Sequence, residues 1–211
     1  MRPVLALLAL LSPAAASGWT YAGTFDGVEV RERSLPGTRV REVVGVATFA
    51  GRAADYVAVI DDVAGFPRFL PRVREARVIE SGPGGEQVAY VRYELPWPLE
   101  PRDYVTRRII EQTLGPDGGG EYRNRWTALP DRVPPAPGVV RLQKNDGFWH
   151  VAQFGPRTVR LEFGCAADPG GALPAWAIDA AAREAVPDIF LAIQREVLRR
   201  RERGSAPLPG R

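Results

Sequence analysis

Three reactive residue types are almost missing from this 211-residue chain, which has one cysteine (Cys165), one histidine (His150) and one lysine (Lys144). A single cysteine cannot form an intramolecular disulfide, so burial and hydrogen bonding must stabilise the fold. One cysteine and one histidine are also too few for the usual structural zinc site. We therefore predict a fold that needs no metal and no cofactor.

The chain also lacks a strong excess of either charge, since 28 basic residues face 25 acidic ones for a net charge of +3. The basic residues are scattered rather than grouped with aromatic residues, which argues against a nucleic-acid partner. The densest basic run, residues 195–203, ends the last predicted helix, where cations complement the helix dipole. We interpret this run as a solvated helix face, with weak contact to anionic lipid as the alternative.

The one long apolar run, Val4–Leu11, follows a single basic residue and precedes a series of alanines. A membrane-spanning helix needs roughly 20 apolar residues, so this run is too short to span a bilayer. A basic start, a short apolar core and small residues are typical of a secretory signal. We predict a cleaved signal peptide at 1–17, an exported, periplasmic domain at 18–203 and a disordered tail at 204–211. An ordinary N-terminal helix is the alternative for the first segment.

Most of the remaining sequence alternates apolar and polar residues, which is the pattern of strands with one buried face. Helical spacing replaces this alternation over residues 52–64, closed by Gly65 and Pro67, and again in a long stretch after Trp176. The order is therefore strands, a helix, many consecutive strands and a long helix. It predicts an α+β fold in which the helices lie on one side of an antiparallel sheet.

The segment AADPGGALPAW (166–176) separates the last strand from the long helix. Its glycines permit a tight reversal of the chain, and Pro174 suits the first turn of a helix. The helix has an apolar stripe at three- and four-residue spacing, formed by Ile178, Ala182, Val186, Ile189, Ile193 and Val197. We expect this stripe to face an apolar surface, and we expect Pro187 to kink or interrupt the helix.

Three motifs occur in order before the long helix: EPRDYVTRR at 100–108, GFWHV at 147–151 and DPGGALPAW at 168–176. Together they resemble the StAR-related lipid transfer (START) domain of bacterial secreted proteins, within the Bet v 1-like (SRPBCC) helix-grip superfamily. The resemblance extends over roughly residues 28–203. The proline-rich insert PDRVPPAPG (130–138) departs from the family pattern.

The resemblance implies a curved antiparallel sheet wrapped around the C-terminal helix, with an apolar tunnel between them. Members of the family bind sterols, phospholipids, carotenoids or other hydrophobic small molecules in that tunnel, and many carry them between membranes. The resemblance therefore predicts a non-catalytic, monomeric carrier of a lipid, sterol or carotenoid-like ligand that contacts membranes transiently.

Apolar residues on one face of the last strand and of the long helix are the candidate tunnel lining. Alternation puts the apolar face of the strand inward. The residues that we predict to contact ligand there are Val159, Leu161, Phe163, Ile189 and Ile193. From the residues alone, the simpler interpretation is a filled core, because apolar faces usually just pack. The resemblance favours a cavity.

The strand RDYVTRRII supplies the polar candidates. Tyr104, Thr106 and Arg108 share one face, and several family members place an inward arginine at the position matching Arg108. An arginine in an apolar tunnel needs a partner, because an unpaired buried charge is very costly. That partner is either a polar group of the ligand or a local carboxylate. Arg102 and Asp103 are interpreted as forming structural ion pairs at the strand edge rather than contacting the ligand.

A second hypothesis is an enzyme on the same scaffold, as in polyketide cyclases and aromatases. Its acid–base candidates are Tyr90, Tyr104, Arg108 and His150. Export argues against it, because such substrates are tethered to cytoplasmic carriers. A third hypothesis is an envelope protein whose filled core supports a partner-binding surface. Cys165 is interpreted as an inert buried thiol. The sequence contains no recognised catalytic constellation, which favours the carrier.

Overall fold

The computed structural model describes residues 18–38, 40–115, 119–171, 173 and 175–204, with the backbone alone described for 175–183. The predicted signal peptide at 1–17 and residues 205–211 of the predicted tail lie outside the described residues. The same is true of Pro174 and of the side chains of Ile178 and Ala182.

The described part of the chain contains ten strands and three α-helices. The strands are β1 (Thr20–Phe25), β2 (Val28–Ser34), β3 (Arg41–Ala50), β4 (Val73–Ser81), β5 (Glu86–Tyr93), β6 (Arg102–Gln112), β7 (Glu121–Ala128), β8 (Val140–Arg141), β9 (Lys144–Gly155) and β10 (Thr158–Asp168). The helices are α1 (Ala53–Ile60), α2 (Phe66–Phe69) and α3 (Ala175–Glu202).

All ten strands belong to one sheet, in the order β1-β2-β3-β10-β9-β7-β6-β5-β4, with β8 beside β6. Every pairing along that path is antiparallel, and only the short β8 runs parallel to its neighbour. Both α1 and α3 pack on the core formed by one face of this sheet. The predicted α+β helix-grip fold is confirmed.

The first helix is shorter than the sequence predicts. The helical spacing over 52–64 predicts one helix, but α1 ends at Ile60. The carboxylate of Asp62 then accepts a hydrogen bond from the Gly65 amide at 3.0 Å, which stabilises a 3₁₀ turn instead of a further α-helical turn. Pro67 does not close the helix but lies in the first turn of α2, where its missing N–H breaks no hydrogen bond.

The C-terminal half of α3 packs closely on the sheet. Of the predicted apolar stripe, Val186, Ile193 and Val197 are buried and Ile189 is partly buried against the same core; Phe190, which the sequence analysis did not include, is buried as well. Gly45 on β3 makes this approach possible. A Cβ atom there would lie 2.5 Å from Cγ1 of Val186 and 2.9 Å from the ring of Phe190. Any larger residue would push the helix away from the sheet.

The helix α3 is continuous over 28 residues and passes through Pro187, so the interruption expected there does not occur. A proline inside a helix removes one hydrogen bond, and burial of the Pro187 side chain offsets part of that loss. No helix in the described part of the chain is both long and apolar enough to span a membrane.

Ion pairs fix the end of α3 to α1, and the basic run supplies their cations. The pairs join Arg199 to Glu196 (2.5 Å), Arg200 to Glu196 (2.8 Å) and Asp62 (2.5 Å), and Arg201 to Asp55 (2.7 Å). Glu196 is buried, and its hydrogen bond from Arg199 lowers the pKa of its carboxyl to about 2. Arg200 and Arg201 therefore hold α3 against α1 and the turn after it, whereas Arg199 pairs within α3.

Candidate ligand-binding site

A series of aromatic rings crosses the inner face of the sheet. The ring of Phe190 on α3 lies 5.3 Å from that of Trp149, which lies 4.8 Å from Phe163. The ring of Phe163 lies 5.8 Å from Trp126 on β7. The first three side chains are buried, whereas Trp126 keeps part of its surface accessible. The aromatic series is therefore buried where it meets the C-terminal half of α3 and partly accessible at its end on β7.

Three more side chains are enclosed by protein and yet partly accessible. Tyr93 and Tyr104, with ring centroids 6.3 Å apart, lie at the end of the inner face where β6 begins. Burial raises the pKa of Tyr93 to about 12 and that of Tyr104 further above its usual value. Burial likewise raises the pKa of the Cys165 thiol to about 12. Groups that are desolvated but not fully covered are expected along the wall of an internal space.

A polar cluster lies toward the opposite end of the same face, below the end of α1. The guanidinium of Arg108 donates to Oδ1 of Asp61 at 3.0 Å and to Oε1 of Gln87 at 3.1 Å. The hydroxyl of Tyr122 donates to the same Asp61 oxygen. Sequence reasoning left open whether Arg108 pairs with the ligand or with a local carboxylate. The structure places it on a local carboxylate.

The protonation of this cluster reflects its burial. Burial raises the pKa of Asp61, whereas the charge and hydrogen bond of Arg108 oppose that rise. Burial also raises the pKa of Tyr122 well above its usual value, and the nearby Asp61 carboxylate adds to the effect. The phenol of Tyr122 therefore remains a hydrogen-bond donor at any physiological pH.

Sequence reasoning missed Asp61, Gln87, Tyr122 and Asn124. Asn124 is 1% exposed on the inner face of β7, where it is paired in register with Ile110 on β6 and Trp149 on β9. Its side-chain oxygen has no hydrogen-bond partner. Alternation along EYRNRWTA puts Tyr122 and Asn124 on the apolar face with Trp126, and that signal alone could have drawn attention to them.

The eight predicted contact residues differ in their surroundings, and Arg108 is buried in the polar cluster. Four of them are buried in packed positions: Thr106, Val159, Leu161 and Ile193. Phe163 belongs to the aromatic series, and Tyr104 and Ile189 are partly accessible. The structure therefore places Tyr104 beside Tyr93 among the partly accessible inner side chains, whereas Phe163 is packed between aromatic rings. Contact of any of these residues with a ligand stays a prediction.

Arg102 and Asp103 hold the surrounding loops in place, but only Asp103 forms the expected ion pair, since Arg102 bonds to backbone carbonyls. Arg102 donates to the carbonyls of Pro169 and Gly170 at 3.4 and 3.5 Å, and so ties the elbow before α3 to β6. On the opposite face, Asp103 accepts two hydrogen bonds from Arg141, at 2.7 and 3.0 Å. Arg141 also donates to the carbonyl of Val133 at 2.7 Å, which fastens the proline-rich insert against the outer face of the sheet.

The four acid–base candidates of the enzyme hypothesis do not converge. Tyr104 and Arg108 lie on the inner face of the sheet. His150 lies on the outer face, 3.3 Å from Glu121, and Tyr90 packs there under Arg77. In the described part of the chain, no three His, Cys, Asp or Glu side chains are grouped so that they could hold a metal ion.

The family described as "Polyketide cyclase / dehydrase and lipid transport" matches residues 54–193. The chain belongs to this family. A STAR-related lipid transfer protein of Xanthomonas axonopodis superimposes with a TM-score of 0.73 at 26% identity, covering 86% of this chain and 99% of that one. Human StAR-related lipid transfer protein 5 superimposes with a TM-score of 0.77 at 18% identity, over 88% and 89% of the two chains.

A curated relative adds a likeness in sequence. The phosphatidylcholine transfer protein of Rattus norvegicus is 31% identical over 111 residues, which is 50% of each chain. Together with the solved structures, it confirms the resemblance to START domains that the three sequence motifs predict.

Proposed function

We propose that this protein binds a lipid or another hydrophobic small molecule between its sheet and α3, and that it transports this cargo without catalysing a reaction. The observation that carries the proposal is the set of inner side chains that are desolvated yet partly accessible: Tyr93, Tyr104, Trp126 and Cys165. An apolar cargo that covers them gains roughly 25 cal/mol per Å² of apolar surface removed from water. The names of the lipid transfer relatives support the same conclusion.

The enzyme alternative receives less support from the geometry. Its polar candidates are divided between two faces of the sheet, so they cannot act together on one substrate. The cluster of Arg108, Asp61 and Tyr122 is internally paired, which suits the orientation of a ligand better than proton transfer.

Native mass spectrometry of the delipidated protein after incubation with a broad lipid mixture tests the proposal. We expect one lipid per chain. The variant Cys165→Trp, which fills the internal space, should lose this adduct, whereas Ile109→Trp on the half-exposed outer face of β6 should keep it. A protein that takes up no lipid, or that binds equally well after Cys165→Trp, refutes binding at this place.

We further propose that the carrier is exported and works as a monomer that contacts membranes transiently through Trp97. This side chain is 92% exposed on the loop between β5 and β6, and the loop leads into Arg102, which holds the elbow. Tryptophan favours the interface between water and lipid. We expect Trp97→Ala to slow transfer between vesicles but to preserve binding, while Phe154→Ala, which changes a 75% exposed side chain at the β9–β10 turn, should alter neither. Equal transfer rates for the unaltered protein, Trp97→Ala and Phe154→Ala would exclude this contact.

A further inference from the structure

Asn124 has the one fully buried polar atom on the inner face of the described sheet that lacks a hydrogen-bond partner. Two other buried nitrogens without hydrogen-bond partners belong to Arg92 and His150, and both residues lie on the outer face, where His150 is 3.3 Å from Glu121. The residues paired with Asn124 across the sheet are Ile110 and Trp149, so it has no polar cross-strand neighbour.

An unpaired carbonyl oxygen in such surroundings is rare in folded proteins, because it has lost its water and gained nothing in exchange. Of the two polar atoms of the Asn124 amide, the oxygen is the one that is buried without a hydrogen-bond partner. The oxygen is therefore the end of the amide that remains for a ligand. What is missing is a hydrogen-bond donor.

The inward-facing cations offer little to an anionic head group. The charge of Arg108 is compensated by Asp61, and its guanidinium is also bonded to Gln87. Arg102 directs Nε, Nη1 and Nη2 at three backbone carbonyls of its own chain. A phosphate, sulfate or carboxylate placed beside Asn124 would meet the oxygens of Asn124 and Asp61, and neither of these two arginines would be free to balance its charge.

We propose that the cargo is an uncharged lipid with a hydroxyl group, and that Oδ1 of Asn124 accepts the hydrogen bond from that hydroxyl. The inference rests on the proposed function and narrows its ligand class. In this arrangement Trp126, Trp149 and Phe163 cover the apolar skeleton next to the hydroxyl. The rest of the lipid extends along the partly accessible wall toward Tyr104.

Matched lipid probes test the head-group preference. Three skeletons (a hexadecyl chain, cholesterol and dioleoylglycerol) are each used as the free alcohol, the methyl ether and the sulfate or phosphate ester. For every skeleton that binds, we expect the alcohol to bind roughly 10- to 100-fold more tightly than its ether, the effect of one buried hydrogen bond. An ether or an anion that binds as well as the alcohol overturns the inference but leaves lipid binding intact. No binding by any skeleton overturns both.

A variant assigns the preference to Asn124. The variant Asn124→Leu keeps a side chain of similar size and removes the acceptor, so the advantage of alcohol over ether should disappear while the ether binds as before. Thr127→Val, on the exposed face of the same strand, should leave the ratio unchanged. An undiminished ratio in Asn124→Leu overturns the assignment. If that variant does not fold, the probe series on the unaltered protein still decides the inference.

Discussion

The ion pair between Asp61 and Arg108 should respond unequally to removal of its two partners. The side chain of Arg108 is 7% exposed and that of Asp61 is 30% exposed. Asp61→Asn leaves a guanidinium that cannot lose its proton, so a buried charge remains without a counter-charge. Arg108→Met leaves a carboxylate that can become neutral, because burial already raises its pKa. The first substitution should therefore be the more damaging.

Breaking a buried pair by removing one partner destabilises a protein by about 3–5 kcal/mol. We expect Asp61→Asn to lie near the lower limit, about 3 kcal/mol, because Asp61 is partly exposed. For a domain of this size, that corresponds to a fall in Tm of roughly 6–12 °C. Arg108→Met should cost about 1–2 kcal/mol near neutral pH, since Asp61 keeps its hydrogen bond from Tyr122.

The loss in Arg108→Met should also depend on pH. The pKa of Asp61 is raised in the folded state, so its favourable contribution is fully present below the unfolded pKa and is lost as the pH rises through the folded pKa. In the unaltered protein, Arg108 lowers the pKa of Asp61 and so limits this rise. Without Arg108 the folded-state pKa of Asp61 is higher, so ionising Asp61 at high pH costs the variant more folding free energy. The variant should therefore be destabilised less at about pH 5 than at about pH 8.

Urea unfolding of the delipidated proteins, followed by circular dichroism, measures these differences. The control is Arg125→Met, which breaks an exposed outer pair with Glu111 at 3.1 Å and should change stability by less than about 1 kcal/mol at either pH. Equal losses for Asp61→Asn and Arg108→Met, with no dependence on pH, would refute the reasoning.

Three further predictions concern single sites. The thiol of Cys165, with a pKa of about 12, should react with a thiolate-dependent reagent at about pH 8 roughly a thousandfold more slowly than free cysteine, and unfolding should restore the ordinary rate. Gly45→Ala should lower the free energy of unfolding by about 1–3 kcal/mol, because a Cβ meets α3 at 2.5 Å, and Gly155→Ala, which has room, serves as control. Asp103→Asn should cost about 3–5 kcal/mol by breaking the buried pair with Arg141, and limited proteolysis should then cleave the proline-rich insert; an uncut insert would contradict its attachment there.

Much of the fold could be predicted because alternation and helical spacing are local properties. The period of two in β6 correctly separates the inward Arg108 from the outward Asp103. The spacing in α3 likewise identifies Val186 and Ile193 as buried residues. The end of α1 was predicted less well, since a hydrogen bond from the Gly65 amide to the Asp62 carboxylate competes there with the helix.

The partners of the buried polar groups could not be predicted in the same way. Asp61 lies 47 residues from Arg108 and 61 residues from Tyr122 in the chain, and the three meet because α1 ends over the inner face of the sheet. The outer-face position of His150 removes it from the acid–base candidates for a similar reason, since the order of the strands decides its surroundings.

By itself, the sequence determined which side chains face inward, where the last helix begins and to which family the chain is similar. Periodicity and motifs are local properties that can be read from neighbouring residues. Only the tertiary structure decided that Arg108 is neutralised by Asp61, that Asn124 keeps an unpaired oxygen and that Tyr104 and Trp126 remain partly uncovered. Those properties depend on how distant segments of the chain pack together. The partner of a buried polar group and the exposure of a side chain therefore leave no periodic pattern in the sequence.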